Sequence, residues 1–207
     1  MSSRPLFLVP LALEASAVSR GARGADLQRI GMGPVKATAA RARITPLLTP
    51  GRAVVVIGLG GGLVGGLTPG DVVVASELQA TNGAPSVELP YASQVAELIE
   101  CAGLNVIQRP VVSSPKIITG VADRNEAASQ GAIAVDMESY WCAPLAGRHP
   151  FAVVRVLLDL PEYELFSPRL PRTLHRAWRS LVGASRALDA WSPTTLDTAA
   201  HTEAGEA

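Results

Sequence analysis

The chain has 207 residues, 48% of them hydrophobic, enough for one domain with a sizeable core. Its 18 Lys and Arg balance its 18 Asp and Glu, so the formal net charge is +0 and no bulk attraction draws it to nucleic acid. Cys101 and Cys142 have neither metal-ligand spacing nor a disulfide framework, which fits buried, reduced thiols in a cytoplasmic protein without metal or cofactor. No apolar stretch is long and charge-free enough to span a bilayer.

The N-terminal residues imitate a secretory signal, with Arg4 before an apolar run and Ala15-Ser16-Ala17 after it. Pro5 and Pro10 interrupt that run, and Glu14 puts a charge where cleavage regions disfavour one. A first core strand over residues 5–13 is expected instead. A strand over 25–31 follows, and Gly31-Met32-Gly33-Pro34 turns it into a helix over 34–48, with Pro34 near the first helical position. Strands are expected over 53–59 and 71–78, the second launched by the turn Thr68-Pro69-Gly70-Asp71. A helix over 91–102, a strand over 105–112, a helix over 123–130 and a strand over 132–136 come next. A helix over 137–147, a strand over 151–158 and a helix over 171–190 complete the pattern. Strand and helix alternate as in an α/β protein, and the Val and Ile runs suit strands covered on both faces. Residues 191–207 are small and polar and read as a disordered tail to a single domain spanning 1–190.

The last helix supports two readings. Leu174, Trp178, Leu181, Val182 and Leu188 recur at helical spacing, as in a helix packed on the sheet. Arg172, Arg176, Arg179 and Arg186 are interspersed, as on a basic surface making peripheral contact with a membrane.

Val54 to Ile57 run into a glycine-rich stretch in which Gly60, Gly62 and Gly65 satisfy the spacing of a dinucleotide-binding turn. Such a site needs a helix directly after the third glycine to bind the pyrophosphate. Gly66, Pro69 and Gly70 arrive before one could form, so that reading fails. Glycines at a strand end still let backbone N–H groups approach a ligand.

Asp136-Met137-Glu138 sits where a short apolar strand hands over to a helix. Its carboxylates could complement the helix dipole, or accept hydrogen bonds from a vicinal diol such as a ribose.

Read together, these segments resemble the purine nucleoside phosphorylase and nucleosidase superfamily, especially its methylthioadenosine/adenosylhomocysteine nucleosidase-like branch. The resemblance covers most of residues 5–160. Leu8-Val9-Pro10-Leu11-Ala12-Leu13-Glu14 is similar to the family's first strand, ending in a water-handling glutamate. Gly31 to Ala37 is similar to the glycine turn opening the first long helix, and Gly58 to Leu63 with Pro69 to Val74 to the glycine loop and following strand. Val135-Asp136-Met137-Glu138 is similar to the ribose-binding signature, with Asp136 in place of the usual first glutamate. Phe151 to Asp159 is similar to the strand carrying the base-protonating aspartate.

The resemblance implies a three-layer αβα fold with a mixed central sheet of the nucleoside phosphorylase type. It implies catalytic roles for Glu14, which would activate water, and Asp159, whose burial would raise its affinity for a proton. It also implies substrate contacts from Glu138, Met137 and Gly60, with Asp136 as a support. Arg155, four residues before Asp159, falls on the same side of an alternating strand, where it could pair with a carboxylate in the sheet or reach the site; the structural role is expected. The implied partner is a small nucleoside, with water or phosphate as co-substrate, bound by a homodimer.

Two positions depart from the family pattern. Leu59 replaces a serine, and Ile117 or a neighbour replaces the base-stacking phenylalanine. Arg20 and Arg23 are no more than candidates for a phosphate cradle, and Glu14 in a phosphate pocket would repel the anion, so hydrolysis is favoured over phosphorolysis. The texture of the chain is similar to the hopanoid-associated subgroup, whose substrate is adenosylhopane. Methylthioadenosine, adenosylhomocysteine or futalosine are the alternative substrates. A nucleoside-binding protein without turnover is the alternative of another class.

Overall fold

The computed structural model describes residues 4–161 and 170–193. Its strands are β1 (Leu6–Val9), β2 (Asp26–Arg29), β3 (Val54–Gly62), β4 (Val72–Ala80), β5 (Val87–Glu88), β6 (Val106–Ser113), β7 (Ala134–Asp136) and β8 (Phe151–Asp159). Its α-helices are α1 (Ala12–Gly21), α2 (Pro34–Ile44), α3 (Ala92–Cys101), α4 (Val121–Ala128), α5 (Ser139–Cys142) and α6 (Leu170–Ala187).

The eight strands belong to one sheet, mixed as expected, with β5 added to the seven strands expected. At one edge β1 lies between β2 and β3, parallel to both. β3 runs parallel to β8, β8 antiparallel to β4, β4 parallel to β6, and β6 parallel to β7. β7 then returns antiparallel to β3 through Gly61 and Gly62, closing these five strands into a ring. One sheet face packs on α1, α3 and α6, through residues such as Val18, Ile99 and Leu181. The other packs on α2 and α5, through Ala37, Ala40, Ile44 and Cys142, which gives the three layers. Most of the apolar side chains of β3 and β8 are buried, which explains their near-continuous Val and Ile runs.

Several boundaries differ from the sequence-based expectation, each for a local reason. The first strand ends at Val9, and residues 12–21 form α1, which the sequence reading missed. Pro10 has no N–H to continue the ladder, and the N–H of Leu11 is capped by Glu14. Glu14 therefore stands in the first turn of a helix, not at the end of a strand. The helix expected to reach residue 48 stops at Ile44, where Pro46 tightens the chain into a 3₁₀ turn over Thr45–Leu47. Pro144 does the same after α5, so the helix expected over 137–147 is one α turn and one 3₁₀ turn. The expected glycine loop begins as strand: β3 continues to Gly62. Cys142 is buried, but Cys101 is exposed at the end of α3. Trp191, the first residue of the expected tail, packs edge-on against Tyr91 and donates to Gln94 Oε1 at 2.9 Å. Residues 194–207 lie outside the described residues.

Candidate active site

Glu14, Gly60, Asp136, Met137, Glu138 and Asp159 line a single cleft of about 720 Å³, counted with its open mouth. It forms where the first turn of α1 meets the ends of β3, β7 and β8. Its other walls are mostly apolar, among them Leu11, Met32, Leu59, Ile117 and Leu158. Lys116 is the one cation lining it among the described residues, and Arg20 and Arg23 do not reach it. The Arg20 guanidinium instead lies 5.8 Å from the Trp178 ring centroid.

Glu14 is 2% exposed. Its Oε2 accepts the N–H of Leu11 at 2.6 Å and its Oε1 the N–H of Leu59 at 2.8 Å. One bond fixes the start of α1 and the other ties that helix to β3. The position at 59 thus contributes its backbone, whatever its side chain. Burial is the largest influence on Glu14 and raises its pKa, against the lowering effects of the two N–H donors and Arg155. A carboxylate destabilised in this way is a better proton acceptor than a solvated one.

Asp136 and Glu138, two residues apart, stand in different hydrogen-bonding environments. Asp136 Oδ1 accepts the Ser113 hydroxyl and the N–H groups of Glu138 and Ser139, at 3.1 and 3.2 Å for the latter two. Its Oδ2 accepts Arg155 Nε at 2.7 Å. Asp136 therefore satisfies buried N–H donors at the start of α5 that the helix itself leaves unpaired, and anchors Arg155. Glu138 occupies the N-cap position of α5 but makes no side-chain cap. Its Oε1 reaches across to accept the N–H of Gly33 at 3.0 Å, at the turn that opens α2.

Arg155 is fully buried beneath these acids, and as expected it pairs with carboxylate. Besides Asp136 it reaches Ser139 Oγ at 2.9 Å and Glu138 Oε2 at 3.5 Å. Burial alone would lower its pKa, but Asp136, Glu138 and Glu14 together raise it. Burial pushes Glu138 up to about 7, with Arg155 opposing and Asp136 assisting. Folding stability should therefore depend on pH. The folded chain holds the Glu138 proton where the unfolded chain has lost it, so this contribution is complete below about 4.5 and lost as the pH rises to about 7. Thermal melts between about pH 5 and 7.5 should show Tm falling with rising pH, and Glu138→Gln should flatten the slope. An unchanged slope in that variant would contradict the assignment.

Asp159 differs from expectation in two ways. The pairing of β3 and β8 slips between Gly60 and Gly61, where Gly60 faces Leu157 and Gly61 faces Asp159. This irregularity breaks the alternation that would put Arg155 and Asp159 on one side. A Cβ on Gly60 would meet Arg155, whereas one on Gly61 would meet Asp159. The Asp159 carboxylate is also paired with a cation that the sequence did not indicate. Its Oδ2 is 2.6 Å from Arg124 Nη2, and Arg124 is itself fully buried in α4 and donates to the Gly62 carbonyl. The contact is a charge-assisted hydrogen bond between two largely buried groups.

The glycines of β3 are what allow this assembly. A Cβ on Gly58 would lie 2.7 Å from both Glu14 Oε1 and Arg155 Nη1. Both side chains are buried and bonded, so neither can swing away. Gly58→Ala is expected to cost about 1–3 kcal/mol, as overpacking of a close-packed site does. Gly61→Ala, whose Cβ would be 3.2 Å from its nearest neighbour, should cost less. Urea midpoints of the two variants check the order, and equal midpoints would contradict it.

The fold and this group of carboxylates define an α/β protein of the nucleoside phosphorylase type. Residues 18–165 match the family model of the phosphorylase superfamily, well over half of the chain, and the chain belongs to that superfamily. It is therefore an enzyme that cleaves N-glycosidic bonds, as a hydrolase or a phosphorylase. Among solved structures it is similar to the 5′-methylthioadenosine/S-adenosylhomocysteine nucleosidase of Neisseria meningitidis in complex with methylthio-immucillin-A. That likeness has a TM-score of 0.74 at 17% identity, over 89% of this chain and 97% of the other. The corresponding Helicobacter pylori nucleosidase gives 0.77 at 15% identity, over 91% and 98%. Futalosine hydrolase of Helicobacter pylori gives 0.75 at 15% identity, over 88% and 95%. None of the curated proteins matches the chain.

Proposed function

We propose that this enzyme is a nucleosidase that hydrolyses the N-glycosidic bond of a 5′-substituted adenosine and releases adenine. The observation that carries the reading is the convergence of Glu14, Glu138 and Asp159 on one largely apolar cleft. Breaking the bond from ribose C1′ to the purine leaves positive charge on the sugar and an electron pair on the base. Asp159 gives a proton to a purine ring nitrogen as that pair arrives. To do so it must take up a proton and loosen its hold on Arg124 when the base binds. Glu138 accepts hydrogen bonds from the ribose hydroxyls and favours the developing cation, with Met137 as an apolar wall. Glu14 takes the proton of the water that adds to C1′. At the end Glu14 is protonated and Asp159 ionised, and exchange with solvent restores both.

Water is favoured over phosphate as the acceptor because the cleft presents several carboxylates and one lining cation, Lys116. Arg155 lies beneath, already engaged by Asp136, Glu138 and Ser139. A phosphate dianion would meet net repulsion.

The apolar mouth favours a large apolar group on the 5′ carbon, with adenosylhopane as the specific candidate. Leu11, Met32 and Ile117 line the cleft yet remain 39%, 44% and 52% exposed. Such surface is normal beside an apolar ligand or across a symmetric dimer interface, and a homodimer is part of the proposal. The solved relatives support the adenosine part, since one is bound to methylthio-immucillin-A. A series of adenosines bearing methylthio, butylthio and long-chain alkyl groups at the 5′ carbon tests the substrate class. kcat/KM should rise with the apolar area of the group. A flat or falling series would remove the apolar preference while leaving the nucleosidase reading in place.

A further inference from the structure

The face of α6 turned away from the sheet carries a charge pattern that the cleft does not use. Ala177, Leu181, Ala184 and Ser185 are buried against the core, whereas Arg172, His175, Arg176, Arg179 and Arg186 are all exposed. The helix contains no acidic residue from Leu170 to Ala187. Beside it runs a groove of about 960 Å³, counted with its open mouth, walled by Arg172, His175, Arg176, Arg179 and Ser180 with Leu104 as its apolar contribution. Among the described residues no carboxylate lines this groove, and the guanidinium groups of Arg172, Arg176 and Arg179 make no ion pair. In a chain of formal net charge +0, this is a concentrated local excess of positive charge.

The spacing separates a surface from a single anion. At 1.5 Å per residue, Arg172 and Arg179 stand roughly 10 Å apart along the axis, and Arg172 and Arg186 roughly 21 Å. Their backbone positions form a row along the helix. A row of exposed guanidinium groups above a buried apolar stripe complements a plane of repeating phosphates. We infer that this face of α6 docks on the surface of a bilayer containing anionic phospholipid.

This inference is independent of the nucleosidase reading, yet the two surfaces are structurally joined. A Cβ on Gly70 would lie 2.9 Å from Arg176 Cγ. The Gly70 N–H donates to the Leu157 carbonyl at 2.7 Å, and the next two residues of β8, Leu158 and Asp159, line the cleft. Docking through α6 therefore holds this end of β8 near the lipid surface.

Co-sedimentation of the full chain with phospholipid vesicles tests the proposal. The protein should pellet with phosphatidylcholine vesicles that contain about 30% phosphatidylglycerol, and not with phosphatidylcholine alone, because the attraction is to surface charge. Raising the salt to about 0.5 M should release it, since screening then acts within a few ångströms. Each basic residue near such a surface contributes about fivefold, so joint substitution of Arg172→Gln, Arg176→Gln and Arg179→Gln should weaken binding roughly a hundredfold. Adenine release from a soluble substrate should be unchanged in that variant. If the variant fails to fold, the lipid and salt dependence of the unaltered chain decides the matter. Equal binding to neutral vesicles, no binding at low salt, or unaltered binding by the folded variant would overturn the inference. So would displacement by a few millimolar inorganic phosphate at constant ionic strength, which would assign the groove to a soluble phosphate. Retention of a short RNA without vesicle binding would assign it to nucleic acid.

Discussion

Asp159→Asn is expected to lower kcat by about 10²–10⁴-fold, the usual contribution of a positioned proton donor. The amide keeps the size and one acceptor oxygen of the acid, so substrate binding should change much less than turnover. The variant also leaves Arg124, which is fully buried, facing a neutral group in place of a carboxylate 2.6 Å away. Some loss of stability should accompany the loss of rate, and kinetics are best compared well below the variant's Tm. Burst and steady-state measurements with a good substrate then separate the two effects. A kcat within threefold of the unaltered enzyme would remove Asp159 from the proton-donor role. The proposed uncoupling from Arg124 makes a further distinction. If Asp159 must take up a proton before it can act, kcat should fall towards high pH in the unaltered enzyme, and the Asn variant should lack that limb.

Arg155→Met should have the largest effect on stability. It removes the cation that lies among Asp136, Glu138 and Glu14, and it does so where Arg155 has no exposure to solvent. Breaking a buried ion pair by deleting one partner typically costs about 3–5 kcal/mol, because the remaining charge has neither water nor counter-charge. Against a total stability of about 5–15 kcal/mol, many such molecules would be unfolded at growth temperature. The paired substitution Arg155→Met with Asp136→Asn should be less destabilised than the single one. It removes one of the orphaned charges together with its partner. Urea denaturation of the three proteins gives the comparison. A loss below about 1 kcal/mol in the single variant, or a greater loss in the double one, would contradict this view of Arg155 as the electrostatic keystone.

The same two arginines show what a sequence can and cannot disclose. Arg155 interrupts a Val and Leu run that must be buried, so a charge there demands a partner, and pairing with a carboxylate was legible. Arg124 lies in Val-Ala-Asp-Arg-Asn-Glu, which reads as a solvated helix face. Only the folding of α4 against the ends of β3 and β8 turns it inward. The strands were legible because both faces of the sheet are covered and the sequence must be apolar throughout. The helix α1 was not, because its first turn continues an apolar run and its start is fixed by one side-chain cap. The glycines of β3 look like a loop when read along the chain. Their reason lies across it, in Glu14 and Arg155 for Gly58 and in Leu160 for Gly62. Within the Asp136-Met137-Glu138 motif the two carboxylates have different partners. The network that separates them, through Ser113, Arg155 and Gly33, comes from three other elements and has no local signature.

Together these contacts describe a site in which burial raises the pKa of Glu14 and Glu138, one arginine restrains both, and a third acid stands opposite with its own cation. The cleft thus offers acids and apolar walls, with little to hold a phosphate. The most direct measurement of the account is the product mixture formed from a 5′-alkylthio-adenosine in phosphate-free buffer, followed by NMR. Release of adenine together with the free 5-alkylthio-ribose is the expected result, with a rate unchanged when phosphate is added. Formation of the ribose 1-phosphate only when phosphate is present would contradict hydrolysis, and no adenine under either condition would contradict the nucleosidase itself.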